Sequence, residues 1–236
     1  MESRVDLYWL PLGAGGHSVR LNGCIFEAVA ARLEKRPTGD LYHSALEVSV
    51  PEGRFVIEMA PAWDANEASR GVVAEGPVGS RWARSLRIFR YEIRRWRDGV
   101  IPDVDEAVES PQRLSDDPAV ARRILELVPA VPTPVWGRDE FGAGEMWNSN
   151  SLISWLIARS GLDVETVHPP VGGRAPGWDA GVIVARRQRV PRFEPLGWLV
   201  FDPAHFIMET GVLHGPKTRV ERQAAVPSVG AIGGVR

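Results

Sequence analysis

The chain has 236 residues, of which 44% are hydrophobic and 25% charged, a composition that excludes a fibrous or disordered protein and allows one domain with a sizeable core. Its 28 basic and 30 acidic residues give a formal net charge of −2. That balance provides no overall attraction to nucleic acid or to an anionic membrane, so partners have to be sought in local patterns.

Cysteine content and apolar runs indicate the compartment. The single cysteine, Cys24, excludes an intramolecular disulfide, and residues 1–6 lack the basic and apolar regions of a secretory signal. The longest apolar runs, such as residues 196–201, are far shorter than the roughly 18 residues that a membrane-spanning helix needs. We therefore expect a cytoplasmic protein without a membrane span.

The N-terminal region begins with a predicted strand over residues 5–10, followed by a glycine-rich turn over residues 11–16. The glycines of this turn do not fit the GxGxxG spacing of a phosphate-binding loop, so an ordinary turn is favoured. Residues 19–26 contain Asn22-Gly23 between two apolar runs, which predicts a hairpin with Cys24 on a strand. An amphipathic helix is then expected over residues 27–36.

The clearest hairpin joins residues 41–50 to residues 54–60. Because side chains alternate across a strand, His43 shares a face with Glu47, and Leu46 with Val48 lies on the other face. His43 therefore opens the first strand of the hairpin on its more polar side.

Residues 81–97 contain seven arginines interleaved with aromatic residues, and residues 87–93 are predicted to form a strand. Such a mixture can neutralise and stack on single-stranded nucleic acid. A solvated strand face, on which arginine stems cover apolar surface, is favoured over nucleic-acid binding because the chain has no net positive charge.

The central region is predicted to contain two helices. Residues 117–128 form the first, capped by Asp116 or Asp117. Residues 148–159 form the second, which is apolar nearly all round and should therefore be buried. A long Pro/Gly-rich loop over residues 168–177 precedes a strand expected over residues 178–185.

The predicted fold class is α+β, with an antiparallel sheet packed on a buried central helix. One domain is expected over residues 1–186. Residues 187–236 form a C-terminal extension in which a strand over residues 196–201 and a flexible tail over residues 223–236 are expected.

A polar quartet, Asn148-Ser149-Asn150-Ser151, begins the buried helix. Free backbone N–H groups and the positive end of the helix dipole meet there, and both stabilise developing negative charge. The alternative is structural, because asparagine and serine cap helices by default.

Two short motifs, Leu41-Tyr-His-Ser-Ala-Leu-Glu-Val48 and Trp147-Asn-Ser-Asn-Ser-Leu-Ile-Ser-Trp-Leu156, resemble the circularly permuted papain-like families. In these families, which include the PPPDE/DeSI-like thiol peptidases and, more widely, the NlpC/P60-like and lecithin retinol acyltransferase-like groups, a strand-borne histidine precedes a helix-borne cysteine. The resemblance implies a permuted papain-like fold. It also implies His43 as general base and Ser149 at the position of the nucleophile, with Asn148 and Asn150 as flanking residues in positioning or oxyanion roles.

Serine at the nucleophile position departs from the family, because a hydroxyl stays protonated until a base removes its proton. The imidazole also needs an orienting group. If residues 51–54 form a four-residue loop, Glu58 lies opposite Glu47 and too far from His43, which leaves Asp64 and Asp179 as weak candidates. Cys24, upstream of His43, is a rival nucleophile, although a buried apolar role fits it better.

Other catalytic templates are absent from the sequence. It has no GxSxG elbow, no HExxH, no Walker A motif and no Cys/His cluster spaced for zinc, so neither a cofactor nor a metal is expected. The remaining histidines lie singly in loop-like contexts, and of these His168 could border the same cleft as Ser149.

Two functions follow from the sequence. The first is a hydrolase or acyltransferase that acts on an amide, thioester or ester of a small-molecule, peptide or acyl substrate through Ser149 and His43. The alternative is a catalytically inactive binding or interaction protein on the same papain-like scaffold.

Overall fold

The computed structural model describes residues 2–12, 38–62 and 71–189. The predicted hairpin over residues 19–26, the helix over residues 27–36, Cys24 and most of the C-terminal extension lie outside these ranges. The strands and helices of the described part are β1 (Arg4–Pro11), β2 (Asp40–Val50), β3 (Gly53–Pro61), β4 (Val72–Pro77), β5 (Arg90–Arg97), β6 (Val108–Ser115), α1 (Pro118–Leu127), α2 (Ser149–Ser160), β7 (Gly173–Arg174) and α3 (Trp178–Arg189).

Six strands form an antiparallel sheet in the order β4-β5-β3-β2-β1-β6, and the two-residue strand β7 pairs in parallel with the start of β2. Helices and an antiparallel sheet therefore coexist in one domain, which agrees with the predicted α+β class. The strand β1, the β2–β3 hairpin and the helices α1 and α2 were all predicted. Strands β4 and β6, which form the two edges, were not.

The main core lies between one face of the sheet and the helices. We call this the helix face of the sheet. It contains Leu46 and Val48 of β2 and Ile57 of β3, which belong to one buried apolar cluster with Leu152 and Leu156 of α2. Every residue of α2 from Ser149 to Ala158 is buried, as expected for a helix that is apolar nearly all round.

The opposite face of the sheet carries a second, smaller apolar cluster. Leu10 of β1, Ala45 of β2 and Val56 of β3 pack there with Ile101. Since successive side chains of a strand point to opposite faces, β2 contributes its even-numbered residues to the helix face and its odd-numbered residues to the opposite face. This alternation decides where each candidate site residue of β2 points.

The turn between β2 and β3 is tighter than predicted. Val50 pairs with Gly53, so only two residues connect the strands, and Glu47 pairs with Val56 rather than with Glu58. The assumption of a four-residue loop was therefore wrong, and it had displaced β3 by two residues against β2.

The strand predicted over residues 178–185 is wrong, because this segment begins helix α3. Helix α3 packs closely on α2 at Gly181, where an added Cβ would lie only 2.1 Å from both the carbonyl oxygen of Ser151 and Oγ of Ser154. The apolar pattern of residues 178–185 fits either a strand or a buried helix. The close contact with α2 at Gly181 favours the helix. Strand β5 also differs, since residues 87–89 form a short 3-10 helix and the strand begins at Arg90.

Candidate functional site

The start of α2 is capped by the side chain of Asn148. Its Oδ1 accepts hydrogen bonds from the backbone N–H groups of Asn150 at 2.9 Å and Ser151 at 3.3 Å. In return, Oγ of Ser151 accepts the backbone N–H of Asn148 at 3.0 Å, which completes a capping box. The quartet therefore caps the helix, which is the structural alternative given by the sequence.

Asn150 ties the helix to the sheet and to a neighbouring loop. Its Oδ1 accepts a hydrogen bond from the hydroxyl of Ser44 at 2.9 Å, and its amide nitrogen donates to the carbonyls of Tyr42 and Pro176, both at 2.9 Å. The amide of Asn148 donates to the same Pro176 carbonyl at 2.8 Å. Both predicted positioning asparagines are thus hydrogen-bonded to the protein itself.

The serines that follow connect α2 to the start of α3. Oγ of Ser151 donates to the carbonyl of Gly177 at 2.6 Å, and Oγ of Ser154 donates to the carbonyl of Trp178 at 2.7 Å. These carbonyls belong to the loop-to-helix junction that a long Pro/Gly-rich segment was predicted to form. The side chains of Ser151 and Ser154 therefore add hydrogen bonds that join α2 to the first turn of α3.

Ser149 is buried at the first position of α2, and its hydroxyl makes no hydrogen bond to any residue in the described part of the chain. The N–H groups of Asn150 and Ser151, which were candidate oxyanion donors, are occupied by the Asn148 side chain. The N–H of Leu152 donates to the Asn148 carbonyl. A substrate oxyanion would have to displace these bonds to reach the N–H groups of residues 150–152, which therefore serve the helix cap.

His43 lies on β2 with its side chain on the opposite face of the sheet from α2. It pairs with Leu10 of β1, whose side chain belongs to the smaller cluster together with Ala45, the next residue of β2 on that face. Its neighbour Ser44 points the other way and reaches Asn150. The structure therefore does not bring His43 and Ser149 together, and the hydroxyl nearest the helix start on β2 belongs to Ser44.

Burial determines the charge state of His43. Removal of the imidazole from water lowers its pKa from 6.5 to about 4, and the negative charge of Asp103 opposes this effect only partly. The ring is therefore neutral near neutral pH. Asp103 lies in the segment after β5, in a left-handed backbone conformation with φ of 55°. It was not among the predicted orienting groups, and nothing in its sequence context indicated this position.

Of the two weak orienting candidates, Asp64 and Asp179, only Asp179 lies among the described residues, and Glu58 was expected to lie too far from His43. Glu58 accepts a hydrogen bond from the buried guanidinium of Arg94 at 3.1 Å. Asp179 lies in the first turn of α3 and not on a strand. Asp64 lies outside the described residues, as does the rival nucleophile Cys24.

Two arginines of residues 81–97, Arg94 and Arg95, are engaged within the protein. Arg94, which is fully buried, binds Glu58 and Glu92, and Arg95 donates to the carbonyl of Leu125 at 2.9 Å. A buried, paired arginine cannot neutralise a phosphate. Arg94 is thus buried and paired with carboxylates, whereas the favoured alternative expected a solvated strand face.

The described ranges contain neither a metal-binding cluster nor a helix suited to span a membrane. Residues 2–12, 38–62 and 71–189 contain no group of three or more histidine, cysteine, aspartate or glutamate side chains that could hold a metal ion. No helix among these residues is long and apolar enough to cross a membrane. His168, the other histidine considered for the site, is exposed.

Comparison with known proteins identifies no relative. No protein-family model matches the chain, and neither the curated proteins nor the solved structures provide a match. The resemblance to permuted papain-like families therefore still depends on its two motifs and remains a prediction.

Proposed function

We propose that the protein is a catalytically inactive binding or interaction protein on a papain-like α+β scaffold. The observation that carries this proposal is the placement of His43 and Ser149 on opposite faces of the sheet. A general base has to lie within about 3 Å of the proton that it removes, or reach it through one water. A β-sheet between the two side chains prevents direct proton transfer and also transfer through one water.

Two further features support the proposal. The helix-start N–H groups of Asn150 and Ser151 already have an acceptor in the Asn148 side chain. The order of elements also fits the scaffold, because a strand carrying His43 precedes a buried helix that begins at Ser149. The scaffold is thus proposed to keep the fold of the family and to have lost its catalytic pair.

The competing function is hydrolysis or acyl transfer through Ser149 and His43. A fluorophosphonate probe distinguishes the two, because it labels a serine only when a base activates the hydroxyl. We expect no adduct on Ser149 in the wild-type protein, with a known serine hydrolase as the positive control. Labelling of Ser149 that disappears in His43→Gln would overturn the proposal.

A thiol at the same position provides a second, more sensitive measurement. In a Cys24→Ser background, the variant Ser149→Cys would carry the only cysteine of the chain. Its alkylation rate by iodoacetamide is measured against pH with His43 present and with His43→Gln. We expect the same pH profile in both proteins, because a distant imidazole cannot stabilise the thiolate. A profile shifted to lower pH only when His43 is present would favour the catalytic alternative.

A further inference from the structure

Residues 81–90 form an exposed segment that combines apolar and basic side chains, here called the basic–apolar loop. Two short 3-10 helices, Arg81–Ser85 and Arg87–Phe89, precede β5. Trp82 is 83% exposed and Ile88 is 62% exposed, and Leu86 and Phe89 between and beside them are also exposed. Single exposed apolar residues are ordinary, but four large ones within eight positions indicate a contact surface.

The basic–apolar loop is held in a defined shape by its own arginines. Arg81 makes two hydrogen bonds to the carboxylate of Glu140, at 2.8 and 3.0 Å. Arg87 donates to the carbonyl of Ala62 at 3.1 Å, and Arg90 donates to the carbonyls of Arg84 and Ser85 within the loop. The exposed apolar side chains are therefore presented by an ordered backbone, and little conformational entropy would be lost when they bind.

Arginine side chains outnumber exposed carboxylates at the surface of the basic–apolar loop. Residues 81–90 include four arginines and no acidic residue. The side chain of Arg81 is 74% exposed, whereas that of its partner Glu140 is only 19% exposed. Similarly, the side chain of Arg87 is 49% exposed, whereas that of its partner Glu92 is 4% exposed. Two of the three carboxylates that pair with these arginines thus lie beneath their guanidinium groups, whereas Glu75, which pairs with Arg90 at 3.3 Å, is 42% exposed. A partner approaching from outside meets arginines and apolar side chains together.

This combination fits the interface of an anionic lipid bilayer. Phosphate and carboxylate headgroups there lie directly above hydrocarbon, so arginine and large apolar side chains can be accommodated by the same surface. Tryptophan is enriched at this depth because its ring is amphipathic. The described cavity of about 330 Å³ is lined by residues of the β2–β3 hairpin, β5 and α1, and none of the loop residues contributes to it. The basic–apolar loop is therefore separate from this cavity.

We infer that the basic–apolar loop docks the protein peripherally on anionic membrane surfaces, with Trp82, Leu86 and Ile88 inserted among the lipids and arginines at the headgroups. The inference goes beyond the proposed function and uses none of the residues at the start of α2. It concerns association with one leaflet and requires no membrane-spanning helix.

Vesicle sedimentation tests the inference with the full-length chain. We expect binding to vesicles of phosphatidylcholine with phosphatidylserine, weak or no binding to phosphatidylcholine alone, and weakening with added salt. Trp82→Ser combined with Ile88→Ser should reduce the affinity about tenfold or more, because the inserted apolar area is lost. Arg84→Ser should reduce it roughly fivefold. Val171→Ser removes another highly exposed apolar side chain outside the loop and should leave binding unchanged.

Two results would overturn the inference. The first is a failure to bind the anionic vesicles even at low salt. The second is binding that persists in the double variant of Trp82 and Ile88 and depends on charge alone, which would indicate a general polyanion contact such as nucleic acid. Circular dichroism of each variant checks that the fold is retained, as expected for substitutions of exposed side chains.

Discussion

Acidification should destabilise the folded protein through His43. Because burial lowers the pKa of His43 from 6.5 to about 4, the unfolded chain takes up a proton at this residue at a higher pH than the folded protein does. The contribution of His43 to stability is complete when the pH is above the unfolded-state pKa of 6.5, and it decreases as the pH falls below that value. It is fully lost once the pH is below the folded-state pKa of about 4. The expected loss is about 2 kcal/mol between about pH 7 and pH 5 and about 3 kcal/mol in full.

Urea unfolding at a series of pH values, with and without His43→Gln, measures this effect. Other titrating groups contribute equally to both proteins, so the difference between the two stability curves isolates the imidazole. Asp103→Asn should deepen the loss, because the charge that favours the imidazolium is removed. Parallel curves for wild type and His43→Gln from about pH 7 to pH 4 would refute the assignment of His43 to a buried site.

Two further substitutions test the packing around α2 by their unfolding free energies, and a third tests the buried ion pairs of Arg94 on β5. Asn150→Ala removes the buried hydrogen bonds between α2 and β2 and should lower the unfolding free energy by about 2–4 kcal/mol. Its control, Ser160→Ala at the end of α2, should lower it by under about 1 kcal/mol. Gly181→Ala should cost about 1–3 kcal/mol, because its methyl group has no space between the helices. Arg94→Met should cost about 3–5 kcal/mol, because it removes the buried guanidinium that binds the buried carboxylates of Glu58 and Glu92, and the exposed Arg84→Met should cost under about 0.5 kcal/mol. An equal cost for a variant and its control would contradict the corresponding contact.

Local patterns in the sequence were sufficient for the elements that have strong periodicity. The alternation of residues 41–50 predicts β2, and the all-round apolar run after Asn148 predicts a buried helix. The same alternation also placed His43 on the face away from Leu46 and Val48. Because a buried helix packs on the apolar face of a strand, this pattern already indicated that His43 would point away from Ser149.

Other features depend on contacts between residues far apart in the chain. The bond between Ser44 and Asn150 joins positions 106 residues apart, and neither residue has a local signal that reveals the other. The close packing at Gly181 likewise decides between helix and strand only after α2 is in place. The influence of Asp103 on His43 depends on how the segment after β5 folds over the sheet, which no short motif encodes.

Disulfide trapping tests the placement of His43 and Ser149 most directly. Two double variants are prepared in the Cys24→Ser background, one with cysteines at positions 43 and 149 and one with cysteines at positions 44 and 150. A disulfide requires Cα atoms within roughly 7 Å and Cβ atoms that point toward each other. We expect oxidation to join positions 44 and 150, whose side chains are hydrogen-bonded at 2.9 Å, and to leave positions 43 and 149 as free thiols. A disulfide between positions 43 and 149 would contradict the placement of these residues on opposite faces and restore the catalytic pair.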